Sequence, residues 1–418
     1  MFLKQNIKTL KPSATLAINE LSNELIKQGR KVYKLGFGQS PFPVPDVVVN
    51  ELIVHAREKD YLPVKGLYSL RVAVANYHTR RTHMKARAED VIIGPGSKEL
   101  LYIAQLCFDG DLLVPAPSWV SYAPQAQITG KQSLWIDTSG SQKKMLDATS
   151  LEAYCEKHPK RKFMLILNYP SNPTGASYSS DELKALADVA RKYELLVISD
   201  EIYGELMHNG THVSIANYYP EGTIVSSGLS KWSGAGGWRL GTFTFPENLR
   251  WLIDAMGVVA SETFTATSAP IQYAAVKAFE FGPEIETYVA ESRKVLKAIA
   301  SYTYEALTGI GLKMPAPEGG FYLFPDFTEY RDQLKQKGIE TSTQLCRKLL
   351  EETGVALLPG ADFGQTDEEL SARLSYVDFD GKSALDFVKM HGSISPQKVN
   401  DVAPRVVEAC NAIKTWLK

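Results

Sequence analysis

The chain has 418 residues, of which 44% are hydrophobic and 22% charged, and a formal net charge of −1. That length supports two or three domains around a large core. A charge so close to zero provides no global field toward nucleic acid or an anionic membrane, so neither is expected as a partner. No stretch approaches the roughly 18 apolar residues that a membrane-spanning helix needs. No apolar run near the N-terminus reads as a signal peptide. The first residues are poor in acids up to Glu20, as transit peptides are, but they hold no arginine before Arg30. The scattered cysteines Cys107, Cys155, Cys346 and Cys410 form no C-x-x-C pair, which fits a reducing compartment, and a cytoplasmic location is expected. Cys107 and Cys346 lie in apolar stretches and read as core. The basic clusters from Arg80 to Arg87 and from Lys157 to Lys162 read as solvated helix ends or loops.

Along the chain, short apolar β-rich runs alternate with longer amphipathic ones. Strands are predicted at Val91–Ile93, Leu112–Val114, Phe163–Leu167, Leu195–Ser199, Thr223–Ser226 and Thr242–Phe245. Most are apolar on both faces, as in a parallel sheet covered by helices. Ser97–Cys107 and Ser180–Tyr193 are the clearest helices between them, the second opening on Asp181 and Glu182. This alternation argues for a doubly wound α/β domain. From about Pro283 the pattern changes. A long helix, Glu284–Leu307, leads to Gly319-Gly320-Phe321-Tyr322-Leu323-Phe324-Pro325. A helix at Ser342–Thr353, strands at Val355–Leu358 and Ala372–Tyr376, and a final helix at Pro404–Leu417 follow. These describe a second, smaller α+β domain, which the first 45 residues are expected to join. Residues 378–402 have no assignment.

Three segments carry chemistry. Ser226-Ser227-Gly228-Leu229-Ser230-Lys231 continues through Ser233-Gly234-Ala235-Gly236-Gly237 to Arg239. It sets one lysine among small residues with an arginine eight positions on. A lysine amine condenses with the aldehyde of pyridoxal phosphate (PLP), small neighbours admit the cofactor, and a guanidinium clamps its phosphate. Alone, the segment also reads as a surface lysine in a Gly/Ser loop. Asn168-Tyr169-Pro170-Ser171-Asn172-Pro173-Thr174-Gly175 forms a rigid turn at the carboxyl end of a predicted strand, where α/β folds bind ligands; Asn172 could donate to a phenolic oxygen. Ser199-Asp200-Glu201-Ile202-Tyr203 ends another. A buried acid there needs a cation, and a protonated pyridine nitrogen would serve Asp200.

Together the N-P-x-N-P-T-G, S-D-E-I-Y and S-K-(x)7-R motifs, in this order, resemble the fold-type-I PLP enzymes, specifically the class I/II aminotransferases. The resemblance extends over nearly the whole chain. It implies a large PLP-binding domain with a mostly parallel, helix-covered sheet over residues 46–290. The smaller α+β domain would comprise 1–45 and 291–418. Lys231 would carry the Schiff base and shuttle a proton, which requires a lowered pKa. Asp200 would pair with the pyridinium nitrogen, Asn172 and Tyr203 would contact the ring oxygen, and Arg239 would grip the phosphate. Gly96, Ser97 and Lys98, in Gly94-Pro95-Gly96-Ser97-Lys98-Glu99, resemble the family's phosphate-binding turn at a helix start. Trp119 matches the aromatic residue that stacks on the ring. Tyr61 matches a tyrosine that reaches the partner subunit's cofactor phosphate, which implies a homodimer with shared active sites. Arg373 matches the arginine that holds the substrate α-carboxylate, and Gly38 would approach the same group; Asn172 and Trp119 would also face substrate. No metal site is expected.

One departure is Gly228, where the family often places a phosphate-binding serine; either Ser227 or Ser230 replaces it or that ligand is missing. Lys11, in Lys11-Pro12-Ser13-Ala14-Thr15, resembles a segment of bacterial-type aspartate and prephenate aminotransferases whose lysine contacts the distal substrate carboxylate. Lys98 is a second candidate for that cation. The implied reaction is ping-pong transfer of an amino group between an L-amino acid and a 2-oxo acid. Glutamate/2-oxoglutarate would be one pair, with an aspartate-like donor favoured. Another enzyme on the same scaffold, a C–S lyase or a cyclopropane-forming synthase, would keep Lys231, Asp200 and Arg373. A non-enzymatic effector domain would carry an added winged helix, for which the motif-bearing region leaves no room.

Overall fold

The computed structural model describes residues 2–10, 14–82 and 84–418. Seven strands form the main sheet: β1 (Val91–Gly94), β2 (Asp111–Ala116), β3 (Ser133–Asp137), β4 (Phe163–Asn168), β5 (Leu196–Asp200), β6 (Thr223–Gly228) and β7 (Gly241–Thr244). Their order is β1-β7-β6-β5-β4-β2-β3, and β7 alone runs antiparallel to its neighbours. Strand residues alternate between two cores. Met164, Ile166, Leu196 and Ile198 join the layer packed by the helices Ser97–Cys107 and Arg250–Ser261. Leu165, Leu167 and Val197 join the layer packed by Ala148–Glu156 and Ser180–Lys192. Burial on both faces explains why these strands are apolar throughout.

A second, antiparallel sheet holds β8 (Tyr322–Leu323), β9 (Leu358–Pro359) and β10 (Ala372–Ser375) in the order β8-β10-β9. The long helix Pro283–Thr308 packs against Gly381–His391 and Pro404–Trp416 beside it. Residues 32–38 run along this sheet. Tyr33 bridges Val355, Leu35 O accepts from Ser375 N at 2.7 Å, and Arg405 donates to Val32 O at 2.5 Å. Asn6 lies elsewhere, donating to Gln127 O and Ile128 O at 3.1 and 3.0 Å.

Several elements differ from the sequence expectation. β3, a half-polar edge strand, was not expected. Val355–Leu358 is strand only at Leu358, because Val355 pairs in isolation with Tyr33. Within 378–402, Asp380 caps the helix Gly381–His391, whose backbone then turns at Gly392 with φ 76°. Ser180 begins its helix as expected, with Ser179 as its cap in a capping box with Glu182, and the helix ends at Lys192, one residue short of Tyr193. Cys346 is buried as expected and Cys107 only half-buried; all four cysteines are free. Lys157 to Lys162 is largely solvated, whereas Arg81 turns inward to an ion pair with Glu205 at 2.6 Å. No helix among the described residues is long and apolar enough to cross a membrane.

Candidate active site

The sheet register assembles the site. Asn168, Asp200 and Ser226 are paired across the carboxyl ends of β4, β5 and β6, and Gly94, Gly241 and Gly228 are paired across β1, β7 and β6. Three motifs that are distant in sequence therefore end along one edge, where parallel α/β sheets hold ligands.

Lys231 follows β6 and is partly buried. Its ammonium donates to Gly38 O at 2.6 Å and lies 5.7 Å from the Tyr203 ring centroid. Its pKa is lowered from 10.5 to about 8, chiefly by burial and next by the Arg373 guanidinium; Asp200 opposes, and Arg239 and Lys98 add smaller repulsions. Asp200 is 3% exposed, and burial raises its pKa against hydrogen bonds from Tyr122, the Ile202 backbone and Ser226. Tyr122 donates at 2.6 Å and Ser226 at 3.3 Å. Tyr203 is buried and shares a 2.8 Å hydrogen bond with the Tyr322 hydroxyl; burial holds its pKa well above the usual tyrosine value.

Arg373, on β10, closes the opposite side. It is 3% exposed, donates to Asn172 Oδ1 at 3.1 Å and to Gly36 O at 2.6 Å, and lies 4.7 Å from the Tyr322 ring centroid. Its Nε is buried without a hydrogen-bond partner among the described residues. A buried guanidinium held by neutral acceptors, with a donor to spare, is a receptor for a carboxylate. Asn172 is positioned in turn by Asn168 Oδ1, which accepts from its backbone N at 2.7 Å. A Cβ at Gly38 would collide with the Tyr322 hydroxyl, so glycine there permits the approach of that ring.

A third wall is cationic. Gly96, at φ 92°, precedes the helix Ser97–Cys107, and a Cβ on it would collide with the Arg239 guanidinium. A Cβ on Gly241 would strike the Ser97 backbone. The two glycines thus bring a helix N-terminus, with its unpaired N–H groups, against an arginine. Ser230 is half-buried just before Lys231. Lys98 is exposed, with its ammonium 5.0 Å from the ring centroid of half-buried Trp119, which itself packs edge-on to Tyr122 at 5.2 Å.

The structure also answers the Gly228 departure. A Cβ there would lie 2.7 Å from Leu240 O and 3.0 Å from Gly241 Cα, so β7 leaves no room for a serine. Ser227 is not its replacement. Successive strand residues face opposite sides, and Ser227 lines a cavity of ≈ 440 Å³ on the other face with Glu201, Glu205, His212 and Arg293. Tyr61 is 92% exposed. Lys11 lies outside the described residues. Tyr122 and Tyr322 were missed as site residues, although Tyr322 stands in the quoted stretch from Gly319 to Pro325; nothing in an aromatic residue beside other aromatics marks it as a hydrogen-bond partner.

The residues present fit PLP. Lys231 supplies a weakly basic amine, Asp200 a buried acid for a pyridinium nitrogen, and the Gly96–Ser97 helix start with Arg239 an anion cradle. This defines a PLP-dependent enzyme of fold type I. The comparisons name the family. The model for "Aminotransferase class I and II" matches residues 30–379. The chain is 33% identical to an aspartate aminotransferase of Bacillus sp. (strain YM-2), covering 90% of this chain and 94% of the relative. It is 32% identical to a probable aspartate/prephenate aminotransferase of Rhizobium leguminosarum bv. phaseoli, covering 87% and 92%. A solved Thermus thermophilus aspartate aminotransferase with maleate superposes with a TM-score of 0.82 at 29% identity, covering 93% and 99%. The chain belongs to the class I and II aminotransferases and is a PLP-dependent amino acid aminotransferase.

Proposed function

We propose that this enzyme transfers the amino group of a dicarboxylic L-amino acid to a 2-oxo acid in two half-reactions. Glutamate/2-oxoglutarate would be one pair, and an aspartate-like donor is favoured. Bound PLP would supply the aldehyde and an electron-accepting ring. The protein supplies the rest. Lys231, with its lowered pKa, holds and returns the proton at substrate Cα. Asp200 would keep the pyridine nitrogen protonated. Tyr203 and Asn172 would contact the ring oxygen, and Trp119 would pack on the ring. Gly96, Ser97, Lys98, Ser230 and Arg239 would hold the phosphate. Arg373, with Asn172 and Gly38, receives the α-carboxylate.

The observation that carries this reading is the convergence of the Lys231 amine and the buried Asp200 acid, at the carboxyl edge of the seven-stranded sheet, with the Arg373 guanidinium from β10, whose Nε has no hydrogen-bond partner among the described residues. The preference for a second carboxylate rests on a cation for it: Lys11 is the first candidate, and Lys98, exposed beside Trp119, is the second. The relatives named for aspartate support the same preference. Replacing Lys98→Ala tests it. The ratio of kcat/KM for aspartate over alanine should fall at least about tenfold, the scale of one lost charge-assisted contact. A ratio that holds steady would remove Lys98 from substrate recognition, whatever happens to cofactor affinity.

The reading includes a homodimer. Tyr61 would reach the partner's phosphate, and Lys65, joined to Asp254 at 2.6 Å, ties its loop to the helix Arg250–Ser261. Exposed Ile53, Val54, Tyr68, Trp251 and Val258 would supply apolar area. Residues 1–45 and 291–418 would form the small domain that closes over substrate and excludes water, apart from the N-terminal turn, which Asn6 holds to Gln127 and Ile128 of the large domain.

A further inference from the structure

We propose that Tyr322 is a positioning residue that links the carboxylate clamp to the cofactor's oxygen side, its hydroxyl orienting Tyr203 and its ring supporting Arg373. This rests on the reading above and adds a residue to it. Tyr322 lies on β8 and Arg373 on β10, antiparallel neighbours in the three-stranded sheet, with Ser375 opposite Tyr322. Tyr203 follows β5 of the seven-stranded sheet. The 2.8 Å Tyr203–Tyr322 hydrogen bond therefore joins the two sheets at the site, and neither hydroxyl has another partner among the described residues.

The geometry gives the ring and the hydroxyl separate tasks. The ring face carries the Arg373 guanidinium at 4.7 Å, and a planar cation lies well on a π-face. The hydroxyl sits over Gly38, whose carbonyl accepts from Lys231. The backbone is fixed as well, since a Cβ on Gly175 would strike Tyr322 O; the turn bearing Asn172 thus packs directly on β8. Each phenol has one proton to donate. When Tyr203 directs its proton to the ring oxygen of PLP, its own oxygen is left to accept, and Tyr322 is the donor in place. A donor behind a donor polarises it and strengthens its bond. A stronger bond to the ring oxygen stabilises negative charge there and lowers the proton affinity of the nitrogen linked to Lys231.

The test uses the PLP-loaded full chain. The visible absorption band is titrated with pH in wild type, Tyr322→Phe and Tyr322→Leu, alongside steady-state kinetics with glutamate. Tyr322→Phe keeps the ring and loses the hydroxyl. Its spectral midpoint should rise, on the order of half a unit to one unit, with KM within about twofold of wild type. Tyr322→Leu loses both groups. Its midpoint should rise equally, and its KM should rise by a further several-fold. An unmoved Tyr322→Phe midpoint beneath a normal wild-type band overturns this inference alone. So does a Phe variant whose KM rises as far as that of Leu. A wild-type protein without the band overturns the underlying reading, and this one with it.

Discussion

When cofactor-free protein is mixed with PLP across a pH series, the condensation rate should rise with pH and level off near pH 8. The reacting species is the neutral Lys231 amine, and burial together with the Arg373 guanidinium brings its pKa from 10.5 to about 8. At pH 7 about one amine in ten is then neutral, against about one in three thousand for an ordinary lysine. The site therefore makes about 300 times more nucleophile available at neutral pH. Removing one source of the shift checks its origin. Arg373→Gln deletes a positive neighbour but keeps most of the burial, so the midpoint should move up by on the order of half a unit to one unit. The sign carries over to stability. Between pH 8 and 10.5 the unfolded chain binds a proton at Lys231 that the folded chain does not, so the stability of cofactor-free protein should rise with pH across that window. Stopped-flow absorbance, with a model amine as reference for PLP's own titration, measures the midpoint. A wild-type rate still climbing through pH 10 would refute the argument, because it would make Lys231 an ordinary lysine.

Arg373→Ala should lower kcat/KM on the order of 10²-fold or more for every amino acid tested, because all share the α-carboxylate; a loss confined to one donor in a substrate panel would contradict that role. Gly228→Ser forces a side chain against Leu240 O and Gly241 Cα. It should destabilise the protein by about 1–3 kcal/mol, read as a shifted denaturation midpoint, and a neutral effect would show that β7 can yield.

Much of the site was legible because its residues stand at strand ends. Asp200, Asn172 and the Lys231 segment each follow an apolar run, and in a parallel sheet such ends meet. Arg239, Gly96 and Ser97 were legible through their motifs, and their contact became visible only when the register paired Gly94, Gly241 and Gly228. The facing of Ser227 was within reach, since neighbouring strand residues point to opposite sides and Ser226 bonds Asp200. Tyr122 and Tyr322 were not. Their hydroxyls meet Asp200 and Tyr203 across 78 and 119 residues, and an aromatic residue in an apolar run carries no local mark of such a partner. The helix Gly381–His391 escaped notice because its Lys, Met and His tail blurs the apolar period, although Asp380 is an ordinary cap. Antiparallel β7 likewise has nothing in its sequence to give its direction; the short connection from β6 through Lys231 and Arg239 decides that.

The most direct test of the account is the visible spectrum of the purified protein, titrated with glutamate, aspartate, alanine and phenylalanine. The account predicts a yellow band that glutamate and aspartate bleach at lower concentration than alanine does, and that 2-oxoglutarate restores. A colourless protein that takes up no PLP, or a band that persists while ammonia or pyruvate accumulates, would contradict it.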